Sequence, residues 1–129
     1  MLAVDTNLVV RLLASDDAAQ TKRAAAVFSG GQIFISKTVL LESEWVLRFS
    51  YELSPKIVLQ ALRNVVGLPN VVMEQPSAIA EALDGFERGL DFADALHLAG
   101  SRRAGRFATF DKKLIRRAEK LTDIELVLA

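Results

Sequence analysis

Short apolar blocks alternate along this chain with longer segments whose apolar positions recur every three or four residues. The blocks Leu2 to Asp5, Ile33–Phe34–Ile35, Val71–Val72–Met73, Phe107 to Phe110 and Glu125 to Leu128 read as short buried strands. Between them the period is helical. Asn7 to Leu13 places Leu8, Val9, Leu12 and Leu13 on a helix. Ser15 or Asp16 can cap a second, alanine-rich helix through Phe28, which Gly30–Gly31 stops. Ser36 or Thr38 opens a helix to about Tyr51, and Ser54–Pro55 opens one to Val66 that ends at Gly67. Pro76 starts a helix to about Arg88, ended by Gly89, and Asp91 caps another to Ala104, ended by Gly105. Lys112 to Lys120 is the last. Strands alternating with amphipathic helices predict an α/β fold, a parallel sheet covered by helices on both faces. In such sheets, ligands bind outside the carboxyl ends of the strands.

The chain has 129 residues, the size of one domain, and no linker or repeat interrupts it, so residues 1–129 read as a single unit. Cysteine is absent, which excludes disulfides, thiolate metal sites and a cysteine nucleophile and suits a cytoplasmic location. Asp5 interrupts the apolar start too early for a secretory signal, and no apolar run reaches the ~20 residues of a membrane span. Formal charge is zero, but its distribution is uneven. Glu74, Glu81, Asp84, Glu87, Asp91 and Asp94 are offset only by Arg88. The stretch from Arg102 to Lys120 is basic, broken only by Asp111 and Glu119. Either these are solvated helix faces, or a basic wall stands beside an acidic site.

Four acidic features fall where chemistry is expected. Asp5 closes the first strand and is followed by Thr6 and Asn7, so it either points into the crevice or caps the next helix. Asp111 closes the fourth strand with the same two readings. Glu42 shares a helical face with Val39, Trp45, Val46 and Phe49, where an unpaired carboxylate would be costly. Glu44, on the side of Leu40 and Leu47, reads as ordinary; those two leucines, on the back of the helix, are candidates for a dimer surface. Asp91 and Asp94 are three apart at a helix start, Asp91 suited to the cap and Asp94 to the site, with His97 one turn further as a neighbour. Clustered carboxylates with one histidine and no cysteine form an all-oxygen site suited to Mg²⁺ or Mn²⁺. Such sites serve phosphodiester cleavage, and the basic residues Arg102, Arg106, Lys112 and Arg116 would hold flanking phosphates.

Four segments in order resemble the PIN-domain family, specifically its bacterial VapC-like toxins. They are Val4-Asp5-Thr6-Asn7, the helix from Val39 to Arg48 with Glu42, Asp91-Phe92-Ala93-Asp94-Ala95, and Thr109-Phe110-Asp111. The resemblance covers the whole chain. It implies a five-stranded parallel sheet in a helical sandwich and Mg²⁺-dependent endonucleolytic cleavage of RNA by activated water. It assigns the metal carboxylates to Asp5, Glu42, Asp94 and Asp111, with Asp91 as the alternative fourth acid. Thr6, Asn7 and Thr109 become hydrogen-bonding neighbours. It also implies a homodimer and a cognate antitoxin whose tail blocks the site. The alternative within the family is a non-catalytic module that binds an antitoxin in a DNA-binding complex. A phosphatase with Asp5 as nucleophile is disfavoured, because Asn7 stands where a second Asp is expected.

Overall fold

A computed structural model describes residues 1–129 and resolves them into two compact units, Met1–Pro76 and Ser77–Ala129. In the first, β1 (Leu2–Ala3), β2 (Ile33–Ile35) and β3 (Val71–Met73) form a parallel sheet in the order β1-β2-β3. Leu2 pairs with Ile33, and Ile33 with Val71. Parallel neighbours require helical crossovers, because the chain must return to the same end of the sheet. Here α1 (Thr6–Ala14) and α2 (Ala18–Ser29) join β1 to β2. A longer crossover joins β2 to β3: α3 (Lys37–Trp45), a π-helical turn at Val46–Ser50, and α4 (Pro55–Val66). Val9, Ile33, Ile35, Leu40, Leu47 and Leu62 are among the residues that fill its interior.

The other unit follows from α5 (Pro76–Glu87) with α6 (Phe92–Gly100), a 3₁₀ turn at Arg102–Ala104, β4 (Arg106–Thr109), α7 (Lys112–Ala118) and β5 (Glu125–Leu128). β4 and β5 pair in parallel, Arg106 opposite Glu125 through Thr109 opposite Leu128. The expected α/β class and parallel sense hold. All five strands form, but hydrogen bonding divides them into a sheet of three and a sheet of two rather than one sheet of five.

Gly85 sets how closely α5 and α6 approach. A Cβ there would lie 3.2 Å from the Ala95 Cβ and 3.2 Å from Leu90 Cδ1. Since α6 carries Asp94, that approach also fixes a candidate site residue. Gly85→Ala gains about 1 kcal/mol of helix propensity against an overpacking cost of about 1–3 kcal/mol at Ala95 and Leu90, so a lower urea midpoint is expected. An unchanged midpoint would show that α6 simply moves aside.

In the first unit capping follows the sequence with one shift. Ser36 and Ser54 cap α3 and α4, accepting from Val39 N–H and Ile57 N–H. α2, however, is capped by Asp17, whose carboxylate accepts from Gln20 N–H at 3.0 Å, and not by Ser15 or Asp16. Ser15 instead closes α1 in a left-handed conformation at φ 53°. Asp16 is turned to a different task. Its carboxylate accepts from Arg11 Nη1 at 3.0 Å and from the Tyr51 hydroxyl at 2.9 Å. The Tyr51 hydroxyl foremost, then Arg11, holds the Asp16 carboxyl below its usual range. A depressed folded-state pKa adds stability above the unfolded value near 3.8. That stability disappears as pH falls through the lower folded-state value. Asp16→Asn should therefore lower the melting temperature at neutral pH, with the gap from the parent closing in strong acid. A gap that stays constant down to pH 2 would rule out this linkage.

On α3 the structure reverses the expected face. Leu40, Ser43, Glu44 and Leu47 are buried, while Glu42, Trp45 and Phe49 face solvent. Leu40 and Leu47 are fully enclosed and offer no dimer surface. Glu44 is 1% exposed, and it is this residue, not Glu42, that carries the cost of a carboxylate on the apolar face. Arg48, one turn on, offsets that cost by donating from Nε to Oε2 at 2.6 Å and from Nη2 to Oε1 at 3.2 Å. The outward side is left with an aromatic pair. Trp45 and Phe49 are each 55% exposed, with ring centroids 5.5 Å apart.

Candidate active site

Polar residues follow the carboxyl ends of β1, β2 and β3: Asp5, Ser36 and Glu74. Asp5 lies just past β1, which Val4 extends by donating its N–H to Phe34 O at 3.2 Å. Asp5 Oδ1 accepts from Leu8 N–H at 3.1 Å, so its capping role is real. One oxygen suffices for that bond, and the residue is exposed. Thr6 is buried, and its hydroxyl donates to Glu42 Oε1 across 36 residues of sequence. That short contact brings the start of α1 and the second turn of α3 together. Glu42 is therefore held beside Asp5's neighbour by a hydrogen bond, not by confinement on an apolar stripe. Asn7 is exposed and, with Asp5, Arg11 and Arg23, lines a groove of about 390 Å³ between α1 and α2.

Glu74, at the carboxyl end of β3, had no site role in the sequence reading. Its Oε1 accepts from Lys37 N–H at 2.9 Å, and its own N–H donates to Ile35 O at 3.1 Å. It therefore tethers the start of α3 to β3. Its position directly after the apolar block Val71–Met73 was the available signal.

The second unit collects a separate set of acids. Asp94 is half-buried on the first turn of α6. Burial above all, then the negative charge of Asp91, raises its carboxyl above the usual aspartate range. His97 acts the other way, and Asp111 adds to the rise. Asp91 occupies the N-cap position of α6, but its side chain makes no capping bond there. Its carbonyl accepts from Ala95 N–H at 2.9 Å. The expected division, Asp91 for the cap and Asp94 for the site, is thus corrected in its first half. Asp111 does cap α7. Its Oδ1 accepts from Lys113 N–H at 2.9 Å and Leu114 N–H at 3.1 Å. Thr109 Oγ1 accepts from Asp111 N–H at 3.0 Å and fixes the turn between β4 and α7.

The four basic residues expected to meet phosphate divide into two classes. Arg102 is engaged by Glu81 at 2.6 Å and lies 3.9 Å from Asp123. Arg106 pairs with Glu125 at 3.0 Å across β4 and β5. Lys112 and Arg116 are exposed and in no ion pair. Only the second pair is available to an incoming anion without first breaking a contact.

The PIN domain profile matches residues 2–120. The chain belongs to the PIN-domain family. No curated protein and no solved structure matches it. The PIN domain is generally a nuclease fold, and divalent metals are typical of PIN nucleases. The candidate residues fit such an ion by chemistry, since every donor is a carboxylate oxygen. Asp94 in addition is a half-buried acid with two anionic neighbours, an arrangement a cation relieves. They do not form a ready-made cage, because nowhere do three or more Asp, Glu or His side chains stand together as a ligand set. Mg²⁺ tolerates this. It usually keeps several waters and is bound through one or two carboxylates together with substrate phosphate. No helix of this PIN domain is long and apolar enough to cross a membrane.

Proposed function

We propose that this PIN domain is a divalent-metal-dependent endoribonuclease, the toxin of a toxin–antitoxin pair, with Asp5, Glu42, Asp94 and Asp111 as its metal-binding acids. The observation that carries the reading is Asp94, a half-buried carboxyl raised by burial and by Asp91 and Asp111. A protein gains little stability from holding acids in this way, and such arrangements gather at functional sites. When bound, Mg²⁺ or Mn²⁺ would supply Lewis-acid activation of water and offset charge on the leaving oxygen. The chain's own residues have other tasks. Thr6 orients Glu42 through its hydroxyl, and Thr109 and the cap at Asp111 fix the corner after β4. Lys112 and Arg116 hold flanking phosphates, while Asn7 lines the groove next to Asp5.

The antitoxin and the homodimer belong to the same reading, as does a cytoplasmic location. Support for a protein partner comes from the Trp45–Phe49 pair, since exposed adjacent aromatics are favoured at buried interface centres. The test is cleavage of single-stranded RNA by the purified chain with Mg²⁺ or Mn²⁺, and its abolition by EDTA and by Asp5→Asn with the fold intact. RNA left whole under all these conditions, alongside tight capture of the product of a neighbouring small gene, would favour the non-catalytic alternative.

A further inference from the structure

Phe110 is the most exposed large apolar side chain in the protein, at 84%, and its ring has no aromatic or cationic partner. Local bonding explains how it is displayed. Thr109 Oγ1 and the Asp111 cap pin the residues on either side of it, at the corner between β4 and α7. An aromatic ring held in water without packing loses the burial that normally stabilises it. Directly after it, α7 turns Leu114 and Ala118 inward. Lys112, Lys113, Arg116 and Arg117 share the opposite face, spread over an arc of about 140° at 100° per residue. All four are exposed and none is in an ion pair, whereas Arg102 and Arg106 of the same unit are paired.

We propose that Phe110 is a stacking platform for an unpaired base of single-stranded RNA, with the cationic face of α7 following the phosphates on one side of that base. The proposal rests on the nuclease reading for its setting, because Asp111, the next residue, is one of the candidate acids. Charge selects the occupant: four unpaired cations in two helical turns match a polyanion. The ring selects single strands. Bases inside a duplex are already stacked, and unpaired ones gain by stacking on an exposed aromatic. Stacking is tolerant of base identity, so this surface would position the chain for cleavage more than it would read sequence.

Binding is measured on the full chain in EDTA, which separates it from cleavage. The probe is a single-stranded RNA oligonucleotide carrying 2-aminopurine, titrated at several salt concentrations. Binding by the parent chain should change the emission of the probe. Phe110→Ala should abolish that change and weaken binding roughly 5- to 150-fold, while Phe110→Trp and Phe110→Tyr keep both. Arg116→Ala combined with Arg117→Ala should reduce the slope of log affinity against log salt by about 1.4 and leave the emission change in place. Circular dichroism of each variant confirms that the fold is retained. Three results would each overturn the proposal: Phe110→Ala binding as tightly as the parent, a duplex of the same sequence binding at least as well as the single strand, or a poly-glutamate peptide competing equally with RNA. The last would assign the surface to an acidic protein segment. The same proteins are then assayed with Mg²⁺. Failure of the parent to cleave, with the binding pattern intact, removes the nuclease reading and leaves the stacking platform standing.

Discussion

Asp94→Asn should lower RNA cleavage at least 100-fold while making the metal-free protein more resistant to heat. Both effects come from the same charge. In the folded chain Asp94 is half-buried, and Asp91 and Asp111 add negative potential to it. An acid whose folded-state pKa is raised disfavours the folded form at pH values above that pKa, and the penalty fades as pH falls through it. Asparagine keeps the shape of the side chain and removes the charge, so the substituted protein should melt a few degrees higher at neutral pH. Mg²⁺ should raise the melting temperature of the parent more than that of the variant, because ligand binding to the folded state alone stabilises it. The measurements are initial cleavage rates and thermal melts with and without Mg²⁺. Undiminished cleavage by a well-folded Asp94→Asn protein would remove Asp94 from the site.

The largest change in stability is expected from Arg48→Met. It would leave the Glu44 carboxylate, 1% exposed, without the guanidinium that now binds both of its oxygens. Taking two charge-assisted hydrogen bonds away from a buried carboxylate costs about 3 kcal/mol. For a chain of 129 residues that corresponds to a fall in melting temperature of about 10 °C. The double variant Glu44→Leu with Arg48→Met should recover most of the loss, because an apolar residue suits the space among Leu40, Leu47 and their neighbours. A melting temperature within a degree of the parent in Arg48→Met alone would show that the two bonds from Arg48 are not what stabilises the buried Glu44. Since α3 also holds Glu42, the single variant should weaken activity through loss of folded protein, and the double variant should restore it.

Local chemistry wrote much of this fold directly into the chain. Ser54–Pro55 and Gly67 bound α4 as anticipated, and Ile33–Ile35 and Val71–Met73 form at the anticipated residues. Caps, prolines and apolar blocks act within a few residues of themselves, so their effect is visible without knowledge of distant neighbours. The helix expected to run from Asp91 to Ala104 instead stops at Gly100 and gives way to a 3₁₀ turn. Its terminus at Gly105, at φ 76°, was still legible, because a left-handed position calls for glycine. The acids at the ends of β1 and β4 were legible for the same local reason, each following an apolar block. That Asp111 caps its helix and also adds to the charge on Asp94 was not, because one oxygen serves the cap and the charge acts across space.

The helix after β2 marks the boundary between the two kinds of information. Its sequence has apolar residues on both sides, Val39, Trp45 and Phe49 on one and Leu40 and Leu47 on the other, with a glutamate set in each. Periodicity establishes that such a segment is a helix but leaves its rotation open. Rotation was settled by packing: the slimmer face with Leu40, Ser43 and Leu47 fits the interior, and Arg48 stands one turn from Glu44 to neutralise it. From that rotation follow the exposure of Trp45 and Phe49 and the meeting of Glu42 with Thr6, 36 residues away. The amino-acid order alone thus determined the α/β class, the five parallel strands and the acids at their ends, because those depend on neighbours in the chain. Which carboxylate is buried, which is held by a hydroxyl and which cations are free depended on partners brought together only by folding.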